Sequence, residues 1–490
     1  MSAPASFGES RNLIDGHLVP SSSGATFANI NPATEESIGV TSDATREDME
    51  RAIAAARRAF DATGWSEDAA LRACCIRQLH AACVEALEEL RQVVIAEAGS
   101  PLLLTHGVQC AGSIEDLRYW AELAESYPYE RQIADGTFMG QPQRRILRRE
   151  AAGVVGAITP WNFPLYLNLA KLGPALASGC TIVLKPAPDT PWSATVLGRL
   201  IAEKTEIPAG VVNVVASADH SVGEPLAADP RIDMVTFTGS TQTGRRIMEL
   251  ASRTVKKVFL ELGGKSAHVV LDDAPKSVWA QAALVCTHGG QGCALTTRML
   301  VPRSRYAEAV EDLTAAFRNA RVGEPTDAGV LQGPQVSKRQ QERVLGYIEK
   351  GRAEGARLAV GGGRPAHLPR GWYVEPTLFV DVDPDHTIAQ EEIFGPVLAV
   401  IPYDGGDDEA VRIANHSIYG LSGAVTSASE ERALAVARRI RTGTLSVNGG
   451  MWFSVDTPFG GYKQSGVGRE NGQMGFEEYL ETKAIALPGR

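Results

Sequence analysis

Seven cysteines occur in this chain, and one of them stands apart by its surroundings. Cys293 closes the run Thr287-His288-Gly289-Gly290-Gln291-Gly292-Cys293, with three glycines among the four residues before it. A thiolate is a strong nucleophile, and backbone N–H groups around a glycine turn can hold an oxyanion. Ahead of it, Val278 to Cys286 is largely apolar and predicts a buried helix, which the glycine pair ends. On its own the stretch fits an inert core cysteine equally well, because free cysteines are commonly buried. The residues that decide lie elsewhere.

Four other candidates follow short apolar runs that read as strands. Trp161-Asn162-Phe163-Pro164 comes after Gly153 to Ile158, and the Asn162 amide can donate to a developing negative charge or cap the next helix. Lys185 ends Thr181 to Lys185 and can meet ribose or phosphate, or lie on the surface. Gly239-Ser240-Thr241-Gln242-Thr243-Gly244 follows Met234 to Phe237 and opens a helix, as a phosphate site or an ordinary cap does. Glu261 follows Val258 to Leu260, as a general base or a solvated strand end. Each signal is weak alone. Together they put an amide donor, a cation, phosphate-binding N–H groups and a carboxylate at strand ends.

The elements between them give the frame. Helices are predicted at Leu165 to Ala177, from a Thr190-Pro191 cap to Lys204, at Gly223 to Ala228 and at Thr241 to Ala251; Val211 to Val215 is a further strand. Strands alternating with helices imply a parallel doubly wound sheet, whose ligands sit at the carboxyl ends of the strands. Upstream, residues 1–30 read as an exposed arm entering a strand at Leu13-Ile14, followed by helices at Arg46 to Phe60 and Ala69 to Ala98. A second α/β region spans Ser266 to Gly461, with a helix at Val336 to Ala353, a strand before Pro376, a helix at Glu430 to Ile440 and a strand at Thr444 to Asn448. Tyr127 to Arg149 interrupts the first region as a hairpin whose Arg144 to Leu147 is a strand.

A chain of 490 residues is too long for one core, so about two or three domains are expected. The net charge of −10 argues against nucleic acid and anionic membrane as partners. No run reaches the ~18 apolar residues of a membrane span, and MSAPASFGES lacks the basic and apolar parts of a signal peptide, so a cytoplasmic location is expected. An odd cysteine count without a CxxC pair, and scattered histidines, predict no disulfide framework and no metal site. There is no GxGxxG, and Gly264-Lys265-Ser266 is no P-loop, because Phe259 stands where that motif needs its first glycine.

Read together, the motifs resemble the NAD(P)-dependent aldehyde dehydrogenase superfamily. The matching stretches are Ile158 to Pro164, Pro174 to Ala177, Phe237 to Thr241, Glu261 to Ser266, Gly290 to Cys293, Glu391 to Pro396, Pro458 to Gly461 and Gly466 to Glu470, in the family's order along nearly the whole chain. The resemblance implies an α/β fold: a Rossmann-like doubly wound parallel sheet domain (residues 1–126 and 150–262), a second α/β catalytic domain (263–465) and a small β oligomerisation arm with the tail (127–149 and 466–490). It implies a homodimer or homotetramer.

The resemblance also assigns roles. Cys293 is the nucleophile, Glu261 the base, and Asn162 with the Cys293 N–H the oxyanion hole. Cofactor contacts fall to Ile158, Thr159, Pro160, Trp161, Lys185, Gly239, Ser240, Gly244, Leu262, Glu392 and Phe394. The substrate tunnel falls to Phe163, Tyr166, Leu167, Ala170, Trp452 and Phe453. The aldehyde is attacked by Cys293, hydride leaves to the nicotinamide, and water activated by Glu261 hydrolyses the thioester. Relatives that transfer the acyl group to coenzyme A lack this glutamate. Two positions depart from the pattern. Pro188 replaces the glutamate that many NAD-preferring relatives use on the adenosine ribose, so NADP stays open beside NAD, with Asp189 as a substitute acid. Ala216-Ser217 replaces a glycine near the adenine. Ala170 takes a place where some relatives have tryptophan, which implies a roomy apolar tunnel. Two other readings compete: a non-redox thiol hydrolase with His288 as base, and a catalytically silent homologue.

Overall fold

The structure, a computed structural model, describes residues 7–489. The arm expected over residues 1–30 begins outside them, and its described part is no loose arm. Asn12–Ile14 is fully buried and pairs antiparallel with both His17–Val19 and Val212–Val214.

Those strands are one edge of an eight-stranded sheet ordered Gly466–Val467, Lys257–Glu261, Met234–Thr238, Val154–Ile158, Thr181–Lys185, Val212–Val214, Asn12–Ile14, His17–Val19. The five strands from Lys257–Glu261 to Val212–Val214 are parallel. Val154–Ile158, Thr181–Lys185 and Met234–Thr238 are short, apolar and almost wholly buried, as strands covered by helices on both faces must be. The chain winds outward from Val154–Ile158 through Thr181–Lys185 to Val212–Val214, then returns to Met234–Thr238 on the other side. The reversal leaves a crevice beyond the carboxyl ends of Val154–Ile158 and Met234–Thr238, where a doubly wound sheet takes its ligand.

A second sheet runs Arg357–Val360, Thr377–Val380, Val397–Tyr403, Arg298–Pro302, Ala267–Val270, Gly423–Thr426, Ser446–Val447, parallel except at its first edge. The third joins Glu130–Phe138 and Gln141–Ala151 to Leu480–Pro488, all antiparallel and largely exposed. The hairpin turns at Met139 and Gly140, both at positive φ, as a two-residue turn matched to twisted strands requires.

Several expected elements change. Ala69 to Ala98 is two helices, Ala69–Glu85 and Leu87–Ala98, broken at Ala86. The apolar run before the cysteine is one short α-helix, Ser277–Gln281, followed from Ala282 by 3-10 turns that break at the non-helical Thr287, His288 and Gly289, with Leu284 exposed. The strand expected before Pro376 follows it, at Thr377–Val380, because proline donates nothing to a ladder. Ser446–Val447 and Glu430–Ala437 are shorter than expected.

The helix Trp192–Lys204 is not capped by Thr190, whose hydroxyl finds no partner among the described residues. Its cap is the buried carboxylate of Glu97, which accepts from the Trp192 and Ser193 N–H groups at 2.8 Å each and from the Asn29 amide at 3.0 Å. Burial outweighs these bonds and pushes the Glu97 carboxyl up to about 7. The folded state therefore holds its proton where the unfolded chain has lost it, and this share of stability is present at low pH and fades as pH rises through 7. Glu97→Ala should cost roughly 1–3 kcal/mol in urea unfolding, and should flatten the fall in stability expected of the wild type between about pH 5 and about pH 7. An unchanged midpoint in the variant contradicts the capping role.

Candidate active site

Glu261 is the last residue of Lys257–Glu261, and Asn162 lies between Val154–Ile158 and the helix Pro164–Ser178. Asn162 does not cap that helix. Its Nδ2 donates instead to the Gln291 carbonyl at 3.0 Å, which turns the amide toward the glycine run before Cys293. One N–H of that amide is thereby used and the other is free.

The run itself is held in a rare shape. His288, Gly289 and Gly290 are successive left-handed residues, at φ 55, 65 and 71. A Cβ on Gly290 would stand 2.1 Å from the Gly395 carbonyl oxygen, so only glycine fits. His288 is buried, and its Nε2 donates to the Asn162 backbone carbonyl at 2.7 Å, which Gln109 also reaches at 3.0 Å. The Gln291 side chain fastens the other side, donating to the His288 and Pro334 carbonyls and accepting from Val336 N–H. The turn that carries Cys293 is therefore bonded to the loop that carries Asn162.

Charge at the site is set by burial. Glu261 is 2% exposed, one carboxylate oxygen has no hydrogen-bond partner among the described residues, and its carboxyl is pushed up to about 8. Burial is the largest cause and the nearby Glu470 carboxylate the next, with Lys171 and the Cys293 thiol opposing. The thiol in turn is held well above its ordinary value by burial and by the Glu261 and Glu392 carboxylates. Glu470 is tied to Lys171 by a buried ion pair at 2.5 Å, and the Lys171 ammonium lies 4.5 Å from the Phe259 ring centre. His288 is the reverse case: burial pushes its imidazole down to about 4, so it is neutral. Its Nδ1 has no hydrogen-bond partner among the described residues, so it makes no bond to the Cys293 thiol. The cysteine–histidine pairing of a thiol hydrolase is not formed.

A single cavity of about 1030 Å³ is lined by Asn162, Glu261 and Cys293 together. Of the expected cofactor residues, Pro160, Trp161, Gly239, Ser240, Glu392 and Phe394 also line it. Trp161 and Phe394 meet edge-on at 5.3 Å, and Glu392 is placed by the Gly264 N–H, which donates to it at 2.9 Å. Of the expected tunnel residues, Phe163, Tyr166, Leu167, Trp452 and Phe453 line it, with Tyr166 against Phe453 and Trp452 stacked on Phe459.

The remaining expected residues stand back from the cavity wall. The Thr159 hydroxyl bonds Asn168, Gly244 packs on Leu262, Ile158 lies in the core, and the Lys185 ammonium reaches only the Ser217 carbonyl at 3.3 Å. Ala170 faces a separate void of about 10 Å³ behind Tyr166, so the space it leaves does not widen the main cavity. Wall residues that the sequence motifs did not reveal include Val108, Leu295, Arg245, Arg339 and Arg343. They sit on helices and loops without a motif, and only the fold brings them together.

Residues 18–485 match the family model described as the aldehyde dehydrogenase family. The chain belongs to that family. It is 44% identical, over 96% of its length and 97% of the other, to a 3-succinoylsemialdehyde-pyridine dehydrogenase of a Pseudomonas species. It is 42% identical to the geranial dehydrogenase of Castellaniella defragrans, over 94% and 95% of the two chains. Among solved structures, a mutant of aldehyde dehydrogenase C from Pseudomonas syringae, in complex with NAD+ and octanal, superposes with a TM-score of 0.92 at 40% identity, covering 97% of this chain and 96% of that one. The family's reaction, oxidation of an aldehyde to an acid, is therefore this chain's reaction.

Glu470→Gln removes the like charge beside Glu261 and frees Lys171, and both changes favour the ionised form of Glu261. The rising limb of the pH–activity profile should move to lower pH, provided thermal unfolding shows a folded variant. A limb that stays in place, or moves up, contradicts this coupling.

Proposed function

We propose that the chain is a non-acylating, hydrolytic aldehyde dehydrogenase that uses NAD and carries its acyl group on Cys293. The observation that carries the reading is the convergence of the Cys293 thiol, the Glu261 carboxyl and the Asn162 amide on one cavity. The residues fit a dinucleotide. The crevice at the sheet's reversal opens on Gly239 and on Ser240, which caps the helix Thr241–Ala251. Lys185 keeps donor capacity beyond its one long bond, and a Cβ on Gly263 would strike Glu392 at 2.4 Å, so that carboxylate is held close to the backbone. The bound structure of the Pseudomonas syringae relative supports NAD.

When bound, the nicotinamide accepts the hydride from the aldehyde carbon. The chain does the rest. The Cys293 thiol first loses its proton to solvent, and the thiolate Sγ then bonds to the aldehyde carbon, whose oxygen takes the charge. The remaining N–H of Asn162 and the Cys293 N–H, both fixed before the reaction, hold that oxygen. A thioester on Cys293 results. Glu261 takes a proton from water, the water oxygen adds to the acyl carbon, and the thiolate leaves as the carboxylic acid forms. A carboxyl that titrates near 8 is well matched to this proton transfer near neutral pH.

The aromatic wall supports an uncharged aldehyde. Tyr166, Trp452, Phe453 and Phe459 form a continuous apolar cluster. The arginines of the cavity are engaged with Gln464, Asp189 and the Glu392 carbonyl, away from that cluster. The relatives named for geranial and found with octanal agree with this reading. In the same proposal residues 150–262 hold the cofactor, 263–465 supply the cysteine, and the exposed three-stranded sheet serves a homodimer or homotetramer. No helix among the described residues is long and apolar enough to cross a membrane. The cysteines are free, which suits a reducing cytoplasm.

Three measurements test the reading. Cys293→Ala should abolish turnover while leaving NAD binding by calorimetry largely intact; wild-type turnover in this variant would disprove the nucleophile. Hexanal and benzaldehyde should show higher kcat/KM than succinic semialdehyde, and the reverse order would refute the apolar tunnel. Glu261→Gln isolates the second half of the reaction. Rapid mixing should show a burst of reduced cofactor near the active-site concentration, then turnover slower by roughly 10²–10⁴-fold. Loss of the burst would assign Glu261 to the first half instead.

A further inference from the structure

The loop from Glu391 to Gly395 carries two cavity residues, Glu392 and Phe394, and has no helix or strand of its own. Phe394 stands at φ 61, in the left-handed region that a bulky side chain occupies only when its surroundings compel it. On one side the cysteine turn blocks the loop, because the Gly395 carbonyl oxygen is the atom that a Cβ on Gly290 would strike at 2.1 Å. On the other side the loop lies along the helix Lys338–Ala353.

That helix grips the loop with one face. Gln340, Arg343, Val344 and Tyr347 follow one another at offsets of three, four and seven residues, the spacing of side chains that share a helix face. Gln340 Nε2 donates to the Phe394 carbonyl at 2.8 Å, and Arg343 Nη2 to the Glu392 carbonyl at 2.7 Å. Neither carbonyl accepts a backbone N–H among the described residues. Val344 fills the space beside Gly395, where a Cβ would stand 2.5 Å from its methyl group. The Tyr347 hydroxyl donates to the Glu391 carboxylate at 2.6 Å, at the point where the loop leaves the short helix Thr387–Gln390. A carboxylate acceptor makes this a strong bond. The Tyr347 ring lies between the Arg343 and Lys350 cations, each 4.9 Å from its centre. Burial first, and then the bond to Glu391, pushes its hydroxyl up to about 12, so it keeps its proton and remains a donor near neutral pH.

We infer that Tyr347 is a positioning residue for hydride transfer. Its bond to Glu391, with Arg343 and Gln340 on the carbonyls that follow, fixes the loop so that Glu392 and Phe394 hold the nicotinamide half of the cofactor toward Cys293. Asn162 and Glu261 are held by other contacts, the Gln291 carbonyl and the first sheet, so the hydrolytic half does not depend on Tyr347. The inference rests on the reading that this end of the cavity holds the nicotinamide.

The test is Tyr347→Phe, which keeps the ring between its two cations and removes only the bond. Rapid mixing at saturating NAD reads hydride transfer as the burst of reduced cofactor, with hexanal carrying hydrogen or deuterium at the aldehyde carbon. The burst should slow about tenfold and show a primary isotope effect, as a misplaced hydride acceptor requires. Calorimetry without aldehyde should show NAD affinity little changed. Glu391→Ala should give the same loss, and Glu391→Gln, which keeps an acceptor oxygen, should recover most of it. Tyr347→Phe combined with Glu391→Ala should be no slower than either alone. Thermal unfolding checks that each variant is folded, and Glu391→Ala, at the exposed end of the bond, carries the test where Tyr347→Phe does not fold. A burst as fast as the wild type's, or one slowed only below saturating NAD, overturns the inference. Phe394→Ala separates it from the reading beneath. If Phe394→Ala slows the burst and Tyr347→Phe does not, the inference alone fails. If Phe394→Ala leaves both the burst and NAD binding unchanged, the nicotinamide does not rest on this loop, and the reading and the inference fail together.

Discussion

The Glu261 and Glu470 carboxylates and the Cys293 thiol crowd together at the end of the strand Lys257–Glu261, and Lys171 offsets their charge. The buried Lys171–Glu470 ion pair is the contact on which the rest of the site depends. Ions inside a protein cost several kcal/mol each unless their partners are well placed. Lys171 comes from the helix whose N-terminus follows Asn162. Glu470 comes from the segment that bridges back to Phe459 and follows the edge strand Gly466–Val467, paired with Glu261 itself. The pair therefore locks the chain's late residues onto the first sheet. Burial first, and then the nearby Glu470 charge that Lys171 only partly offsets, with a smaller push from Glu392, keep the Glu261 carboxyl high. A base that holds its proton until about pH 8 is the product of that arrangement rather than of Glu261 alone.

A second constraint is local. A left-handed backbone at His288 costs roughly 1–2 kcal/mol for a residue with a side chain. The buried imidazole bond to the Asn162 carbonyl offsets it, and the same bond fixes the distance between the oxyanion donor and the cysteine turn. His288 thus matters to the site through position. Its neutrality follows from burial, and so does its unsuitability as a partner for the thiol.

How much of this the sequence carried depends on range. The strand ends were legible because short, fully buried parallel strands write themselves as apolar runs, and the residue after each run falls at the ligand crevice. Glu261 and Asn162 are legible that way, whereas Cys293 is marked by the glycine run before it. What failed was long-range. Lys171 and Glu470 lie 299 positions apart, and nothing local marks either as half of a pair. Thr190 looked like a helix cap because threonine so often is one, yet the cap came from Glu97, a residue 95 positions from Trp192. The helix before the cysteine was misjudged because Val278 to Cys286 is apolar throughout, whereas the backbone tightens into 3-10 turns and exposes Leu284. The resemblance puts Ala170 on the tunnel, but a helix residue's outlook depends on its neighbours, and here Ala170 lines a small void together with Tyr166.

The thiol and its carboxylate come from different sheets, and the link between the sheets is short. Lys257–Glu261 ends the catalytic edge of the first, Ala267–Val270 begins in the second, and only Leu262-Gly263-Gly264-Lys265-Ser266 lies between. Gly264 is required by close approach to backbone, and Gly263 faces the end of the Glu392 side chain. A Cβ on Gly263 would meet Glu392 at 2.4 Å, and one on Gly264 would meet the Cys293 carbonyl oxygen at 2.7 Å. The segment is pinned from outside as well: Leu262 N–H donates to the Ser465 carbonyl, and the Ser465 hydroxyl to the Gly263 carbonyl. A linker this short and this bonded cannot hinge freely. The spacing of Glu261, Glu392 and Cys293 is therefore a property of the joint between the two sheets, which explains why a motif of five small or flexible residues sits directly after the base and why its backbone is pressed against the cysteine.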